Sequence, residues 1–189
     1  MNADAFRHLY AYHFSENHKL WSLLARLPYE WFIQDARYSV GSLRQQVVHL
    51  MRVDEVWFCE LRGVEPPLAY QPTAEDDRAV IRARWDAIEA QMRAYLAQLR
   101  DDMLFARPIV EPAEDKDLTV WQVLIHVVNH GTDHRAQMLR ALHDFGVETT
   151  SQDYIFFAYE TQYAIRNTYS VVRIPYSVVR SPACATRSA

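Results

Sequence analysis

Two histidines, His130 and His134, stand four residues apart in a segment whose apolar residues recur with helical spacing. On a helix, positions i and i+4 lie on the same face, so the two imidazoles can share one ligand. His49, in a second apolar helical segment far upstream, is a third candidate. Three neutral imidazoles that converge in a helical core leave a divalent metal ion with open coordination positions. The sequence therefore predicts a three-histidine metal site that can support chemistry.

The spacing of the histidines leaves the choice of ligands open. His126 lies four residues before His130 and shares a helical face with His130 and His134. All three cannot bind one ion, because the first and the third are about 12 Å apart on a straight helix. One of them must lie outside the ligand set, and spacing does not decide which. His13, on the apolar stripe of the first helical segment, can also approach the site.

Other metal templates fit poorly. A zinc peptidase has glutamate directly after the first histidine of its pair, and here that position is Gly131. Di-iron bundles need Glu-x-x-His repeats, and none occurs. Glycine inside a helix costs about 1 kcal/mol relative to alanine. A close-packed neighbour would explain Gly131, and simple tolerance is the alternative. Asn17, Gln46 and Arg135 are the candidate polar neighbours of the site.

The elements that must position these residues are helices. The chain has only four glycines, and its prolines cluster between long segments of helical spacing. Ser42 with Gln45 and Thr119 with Gln122 match capping boxes, and Thr73 is the expected N-cap of another helix. The pattern predicts an all-α four-helix bundle. Its helices are expected at about residues 3–27, 43–62, 74–99 and 120–145.

The C-terminal part of the chain has a different character. Residues 151–159 are expected to form a short extra helix rich in aromatic side chains. The heptapeptide Tyr169–Pro175 then recurs almost unchanged as Tyr176–Pro182, and a proline every seventh residue disfavours strand pairing. We expect a bundle domain over residues 1–160 and a poorly ordered, irregular tail over residues 161–189.

Composition excludes several classes of protein. Of the 189 residues, 50% are hydrophobic and 23% are charged, which suits one globular domain. The net charge of −4 disfavours nucleic acid as a partner. No apolar run reaches the length of a membrane span, and the N-terminus lacks the pattern of a secretory signal. Two cysteines, Cys59 and Cys184, make no disulfide framework, so a cytoplasmic location is expected.

The same residues resemble those of the DinB/YfiT-like family over about residues 3–160. The resemblance is carried by His49, by the string from Ile125 to Gln137 and by Asn17 with the apolar residues that follow it. The family pattern is a distant histidine and a His-x-x-x-His pair followed by arginine and glutamine. Mapped onto this chain, the pattern implies His49, His130 and His134 as ligands and leaves His126 outside.

The resemblance also implies a fold, a cofactor and a function. It implies an up-up-down-down four-helix bundle, often a homodimer, that binds nickel or zinc, with iron, manganese, cobalt and copper as the other candidates. Some relatives are metal-dependent transferases or isomerases that use low-molecular-weight thiols such as bacillithiol, mycothiol or glutathione. The leading hypothesis is therefore a metal-dependent, thiol-using transferase or a related enzyme such as a hydrolase, acting on small molecules. A non-catalytic metal-binding stress-response bundle is the alternative, and a bundle without metal is the third.

Overall fold

The computed structural model describes the backbone of residues 2–169 and the side chains of residues 2–162. Every regular element within this part of the chain is helical, which confirms the predicted all-α class. Four long helices form a first compact unit that ends at Gln152. These are α1 (Ala3–Leu24), α3 (Leu43–Leu61), α4 (Arg78–Gln98) and α5 (Val120–Asp144), with the short α2 (Tyr29–Ile33) and a 3-10 turn at Asp101–Met103 between them.

A second unit begins at Asp153 and contains α6 (Tyr154–Tyr169). The extra C-terminal helix is therefore confirmed, but it is longer than the nine residues expected. It also crosses residue 160, where the sequence predicts that the bundle domain ends. The heptapeptide repeat begins at Tyr169, and the rest of it lies outside the described residues.

Hydrogen bonds show how α1 runs relative to α5 and α4. The Tyr10 hydroxyl donates to the Leu124 carbonyl at one level, and Arg135 donates to Asn17 further along both helices. The residue numbers of the contacting pairs increase along both helices in the same direction, so α1 and α5 are parallel. Arg7, near the start of α1, donates to carbonyls at the end of α4, so these two helices are antiparallel.

Contacts of α3 complete the directions of the four long helices. Asp54 accepts from the Trp85 indole and Arg62 donates to Gln91, so α3 and α4 are parallel. The rings of Trp57 and His126 meet at the opposite end of α3 from the contact of His49 with α5, so α3 and α5 are antiparallel. In chain order the helices run up, down, down and up. The up-up-down-down order that the resemblance implied is wrong, although the four-helix bundle itself is present.

The parallel pair α3 and α4 requires a connection that returns along the bundle, and residues 62–77 provide it. Arginine side chains from the two helices donate to its carbonyl groups. Arg52 donates to Pro67 at 2.6 Å and Arg44, nearer the start of α3, donates to Thr73 at 2.7 Å. The segment therefore runs antiparallel to α3. This chain reversal explains why a downward helix can follow another downward helix.

Two helix boundaries differ from the predicted ones. The helix expected from residue 74 starts at Arg78, because Asp77 accepts from the Tyr70 hydroxyl and the Thr73 backbone and closes the preceding residues into a loop. The first helix ends at Leu24 rather than residue 27, and the unpredicted α2 follows. Arg78 donates to the Leu27 carbonyl at 2.7 Å and so covers the end of α1.

The remaining helix ends agree with the sequence signals. Ser42 and Gln45 form the predicted capping box at the start of α3, and Gln122 accepts from the Thr119 backbone at the start of α5. Gly63 and Gly146 follow α3 and α5 with positive φ, the conformation that ends many helices at glycine. These caps set where His49, His130 and His134 fall along their helices.

The core of the first unit draws buried side chains from all four long helices. Phe6, Leu50, Trp85 and Leu124 are each almost wholly excluded from solvent. None of the described helices combines the length and apolar composition that a membrane span requires. The candidate site lies where α1, α3 and α5 meet, so rigid helices position every side chain in it.

Candidate metal centre

Three histidines converge between α3 and α5. His49 comes from α3, and His130 and His134 come from successive turns of α5. Each histidine offers one ring nitrogen, and these three nitrogens lie within 4.8 Å of one another. Among the described residues, this is the only set of three or more His, Cys, Asp or Glu side chains with such spacing. The structure therefore brings together the three residues that the sequence proposed as ligands.

The separation of two of the nitrogens fits shared coordination. The Nε2 atoms of His49 and His130 lie 3.1 Å apart. Nitrogens bound to one zinc ion at about 2.0–2.1 Å, with angles between a right angle and the tetrahedral value, lie about 2.9–3.4 Å from each other. The rings also stay close without stacking flat, with centroids 4.4–5.0 Å apart. The observed separation of the Nε2 atoms falls within the range for shared coordination, which is also the range of a hydrogen bond between two imidazole nitrogens.

Two further ring nitrogens lack partners within the described structure. The Nδ1 atoms of His130 and His134 are buried and make no hydrogen bond. A buried polar atom without a partner is costly, so such atoms cluster where a ligand or water completes their bonding. Since Nε2 of His130 faces His49, its Nδ1 atom cannot bind the same ion and needs a separate partner, such as a bound water.

The surroundings keep the imidazoles neutral, which is the form that binds metal. Burial, and then the neighbouring His134 and His49, lowers the pKa of His130 to about 4. Burial also lowers the pKa of His49, with His134 adding to the effect, and lowers the pKa of His134 against the opposing charge of Asp133. Protons therefore compete weakly for these nitrogens near neutral pH.

These shifts predict a pH dependence of the metal-free protein. The three pKa values lie below the ordinary value of 6.5, so the unfolded chain binds protons that the folded chain does not. The contribution to stability is present above pH 6.5 and is lost as the pH falls towards the folded value of about 4 for His130. Urea unfolding between about pH 7.5 and pH 5 should show this loss.

The matched control for that experiment is His130→Gln, which cannot titrate. The variant should lose less stability than the parent protein over the same pH interval. Equal losses in the two proteins would show that protonation of His130 does not contribute.

A buried polar group lies beside the histidines, at the contact of α1 with α5. Arg135, 1% exposed, donates through Nη1 to Asn17 Oδ1 at 2.9 Å and to His13 Nδ1 at 3.2 Å. Its Nε and Nη2 atoms donate to Gln152 and Thr132. This single side chain thereby joins α1, α5 and the segment after α5, and it directly follows His134 in the chain.

His13 is fully buried in this group. Its Nε2 atom lies 3.2 Å from the Asn17 amide nitrogen and 3.7 Å from the Oδ1 atom of Asp54 on α3. Burial lowers the pKa of His13, and the Asp54 carboxylate opposes that shift. His13 thus approaches the site, as the sequence allowed, but it lies outside the three-histidine set.

Gly131 has a structural reason. A Cβ atom at this position would lie 2.5 Å from Cε1 and 2.9 Å from Nδ1 of His13, and 3.0 Å from Nη1 of Arg135. The absence of a side chain lets the His13 ring pack against the backbone of α5 between His130 and His134. Close packing, the first of the two sequence-based explanations, is the correct one.

Comparison with known proteins places the chain in a family. The model of the DinB family matches residues 1–168. This chain belongs to the DinB family. Protein DinB of Bacillus subtilis (strain 168) is 26% identical to it over 169 residues, which cover 86% of this chain and 98% of the relative. The predicted family resemblance is therefore confirmed, and the match extends through most of α6.

In this DinB-family chain, His126 lies outside the three-histidine set. It is exposed on α5, with its ring centroid 5.8 Å from that of His130 and 5.1 Å from that of Trp57. The arrangement agrees with the ligand set mapped from the DinB pattern. Asp133, the neighbour of His134 in the chain, is likewise exposed.

Sequence reasoning missed two members of the buried polar group in this DinB-family protein. Asp54 on α3 is buried, and its carboxylate faces His13. Gln152 lies beyond α5 and carried no signal at all. The available sequence signal for Asp54 was its spacing of four residues from both Leu50 and Phe58, which places it on the apolar face of α3.

Proposed function

We propose that the protein binds one divalent metal ion through His49, His130 and His134 and uses it in a thiol-dependent transfer reaction. The convergence of three ring nitrogens within 4.8 Å of one another carries the proposal. Their neutrality adds support, since burial lowers the pKa of all three imidazoles. The family resemblance favours nickel or zinc, and cobalt, copper, iron and manganese are the other candidates.

The number of protein ligands favours catalysis over a purely structural role. Structural zinc sites have four protein ligands, whereas catalytic sites have three and keep one position for water or substrate. No fourth His, Cys, Asp or Glu side chain joins the three histidines in the described part of the chain. A divalent ion with three neutral ligands keeps its full charge and promotes loss of the proton from a thiol at the open position.

The residues around the histidines hold the site in place and limit its access to water. Arg135 and Asn17 fix α5 against α1, while Leu50 and Val127 fill the core on either side of the facing helices. His134 is only 7% exposed, whereas His49 and His130 are half-buried. Substrate therefore approaches from the side of His49 and His130, which are the more exposed of the three histidines.

The proposal extends to partners and location. A low-molecular-weight thiol and a small electrophile are the expected substrates, and the cytoplasm is where such thiols are abundant. We propose a homodimer, in line with the family resemblance, and neither nucleic acid nor membrane as a partner.

The proposal predicts that the tag-free protein binds one equivalent of Ni²⁺ or Zn²⁺ and consumes a thiol in the presence of an electrophile only when loaded. Elemental analysis and calorimetric titration measure the first property, and depletion of glutathione or bacillithiol with chlorodinitrobenzene measures the second. His134→Gln should fail both tests. His143→Gln, an exposed histidine in the last turn of the same helix, should pass both. Stoichiometric binding without turnover across the thiol series would leave the non-catalytic bundle as the better description.

A further inference from the structure

We infer that His126 is an entry ligand, which holds a divalent ion together with His130 before the ion reaches His49, His130 and His134. The inference rests on the proposed function of those three histidines. It gives a role to the one histidine of the α5 face that the resident ligand set does not include.

The histidine rings form a continuous path along α5. The centroids of His126 and His130 lie 5.8 Å apart, and those of His130 and His134 lie 4.4 Å apart. His126 and His130 are separated by four residues, so they form a second pair that can share an ion on one helical face. His130 belongs to both pairs. An ion can therefore move along the helix without losing contact with this residue.

Exposure decreases along the same path. His126 is exposed, His130 is half-buried and His134 is 7% exposed. A hydrated ion that arrives from solvent meets His126 first and His134 last. Because a buried site cannot admit the full hydration shell, the ion must exchange water for protein ligands in steps.

The His126 imidazole is available for such an exchange. Within the described residues it makes ring contacts with Trp57 and His130 but no hydrogen bond or ion pair. The edge-on Trp57 ring, 5.1 Å away, restricts the orientations of the imidazole. His126 thus combines exposure with a fixed position beside a ligand of the inner site.

The exchange balances without any other reactant. His126 and His130 each donate one lone pair to the incoming ion, and together they displace two of its waters. His49 and His134 then bind, while His126 and a further water leave. The exchange involves only lone pairs of ring nitrogens and waters, so no covalent bond breaks, no electron is transferred and the ion keeps its charge.

An entry ligand changes rates but not the final equilibrium. His126 contacts the ion neither when the ion is free in solution nor when it is bound by the inner three histidines. It therefore lowers the barrier between these two states equally in both directions. Loss of His126 should therefore slow uptake and release by the same factor. A resident ligand would instead change the affinity.

The experiment is stopped-flow mixing of metal-free protein with Co²⁺, followed by the visible absorption of the bound ion. His126→Ala should take up Co²⁺ about tenfold more slowly than the parent and release it to a chelator about tenfold more slowly, with an unchanged Kd. His126→Asp, which restores a ligand atom, should recover most of the rate. His143→Ala, which removes an exposed imidazole from the same helix, should behave as the parent.

Three outcomes would overturn the inference, and they separate it from the proposed function. Uptake by His126→Ala at the parent rate would refute the entry role while leaving the inner site intact. A weaker Kd with an unchanged uptake rate would make His126 a resident ligand. Failure of the parent protein to bind Co²⁺, Ni²⁺ or Zn²⁺ would refute both proposals together.

Discussion

Replacing His130 with alanine is expected to abolish stoichiometric binding of a divalent ion. His130 is the central residue of the set, with its Nε2 atom 3.1 Å from that of His49 and its ring 4.4 Å from that of His134. Removing it leaves two imidazoles on different helices and no chelating pair on α5. Loss of a mere outer partner of a metal site typically costs 10–100-fold in affinity, so loss of this ligand should cost more than about a hundredfold.

Calorimetric titration with Zn²⁺ and elemental analysis of the purified variant measure this loss. The fold should survive, because His130 is half-buried and its Nδ1 atom makes no hydrogen bond within the described structure. The melting temperature of the parent should fall in chelator, whereas that of His130→Ala should not, since a bound ion stabilises only the folded state that binds it. His143→Ala serves as the matched control on the same helix. One equivalent of metal retained by His130→Ala would refute the ligand assignment.

Local sequence signals predicted the elements that carry the site. The capping pairs Ser42–Gln45 and Thr119–Gln122 set the starts of α3 and α5, and helical spacing put His130 and His134 on one face. The residues that make these signals lie within one or two helical turns of each other, so they can be recognised in a single sequence. They could not show that His49 faces that pair, because the contact joins residues 81 positions apart. The family resemblance supplied that part of the prediction.

The direction of the helices could not be predicted in this way. Parallel packing of α3 and α4 depends on the return of residues 62–77 along α3, which bonds from Arg44 and Arg52 to carbonyl groups stabilise. An arginine on a helix surface carries no signal of which carbonyl it will meet. The late start of α4 has a similar origin, since the contact of Tyr70 with Asp77 closes a loop where Thr73 matched an N-cap. Long-range and loop contacts decided both features.

Gly131 was only partly predictable. The sequence showed that a glycine inside a helix is unfavourable, but it did not show which neighbour requires the glycine. Glycine in the interior of a long helix indicated close packing or tolerance, and the structure shows the His13 ring at that position. His13 in turn meets Arg135, so the glycine permits the contact of α1 with α5 behind His134. The metal centre and the buried polar group are therefore linked through a residue that has no side chain.

Gly131→Ala should therefore destabilise the protein although alanine favours a helix. Alanine gains about 1 kcal/mol in helix propensity over glycine. Its Cβ atom, however, would lie 2.5 Å from a carbon of the fully buried His13 ring, which has no free space to enter. Overpacking of a core typically costs about 1–3 kcal/mol net, so the variant should lose about 2 kcal/mol of unfolding free energy. Shifting α5 away from α1 should also weaken Zn²⁺ binding, because His130 and His134 flank the altered position.

A double-mutant cycle in urea separates this packing effect from every other consequence of the substitution. In a His13→Ala background the obstructing ring is gone, so Gly131→Ala should become neutral or stabilising by up to about 1 kcal/mol. The sign of one substitution should thus reverse with a change on another helix. Destabilisation of the same size in both backgrounds would mean that the His13 ring is not the reason for glycine at position 131. Stabilisation by Gly131→Ala in the otherwise unchanged protein would refute the close approach of α1 to α5 at this level.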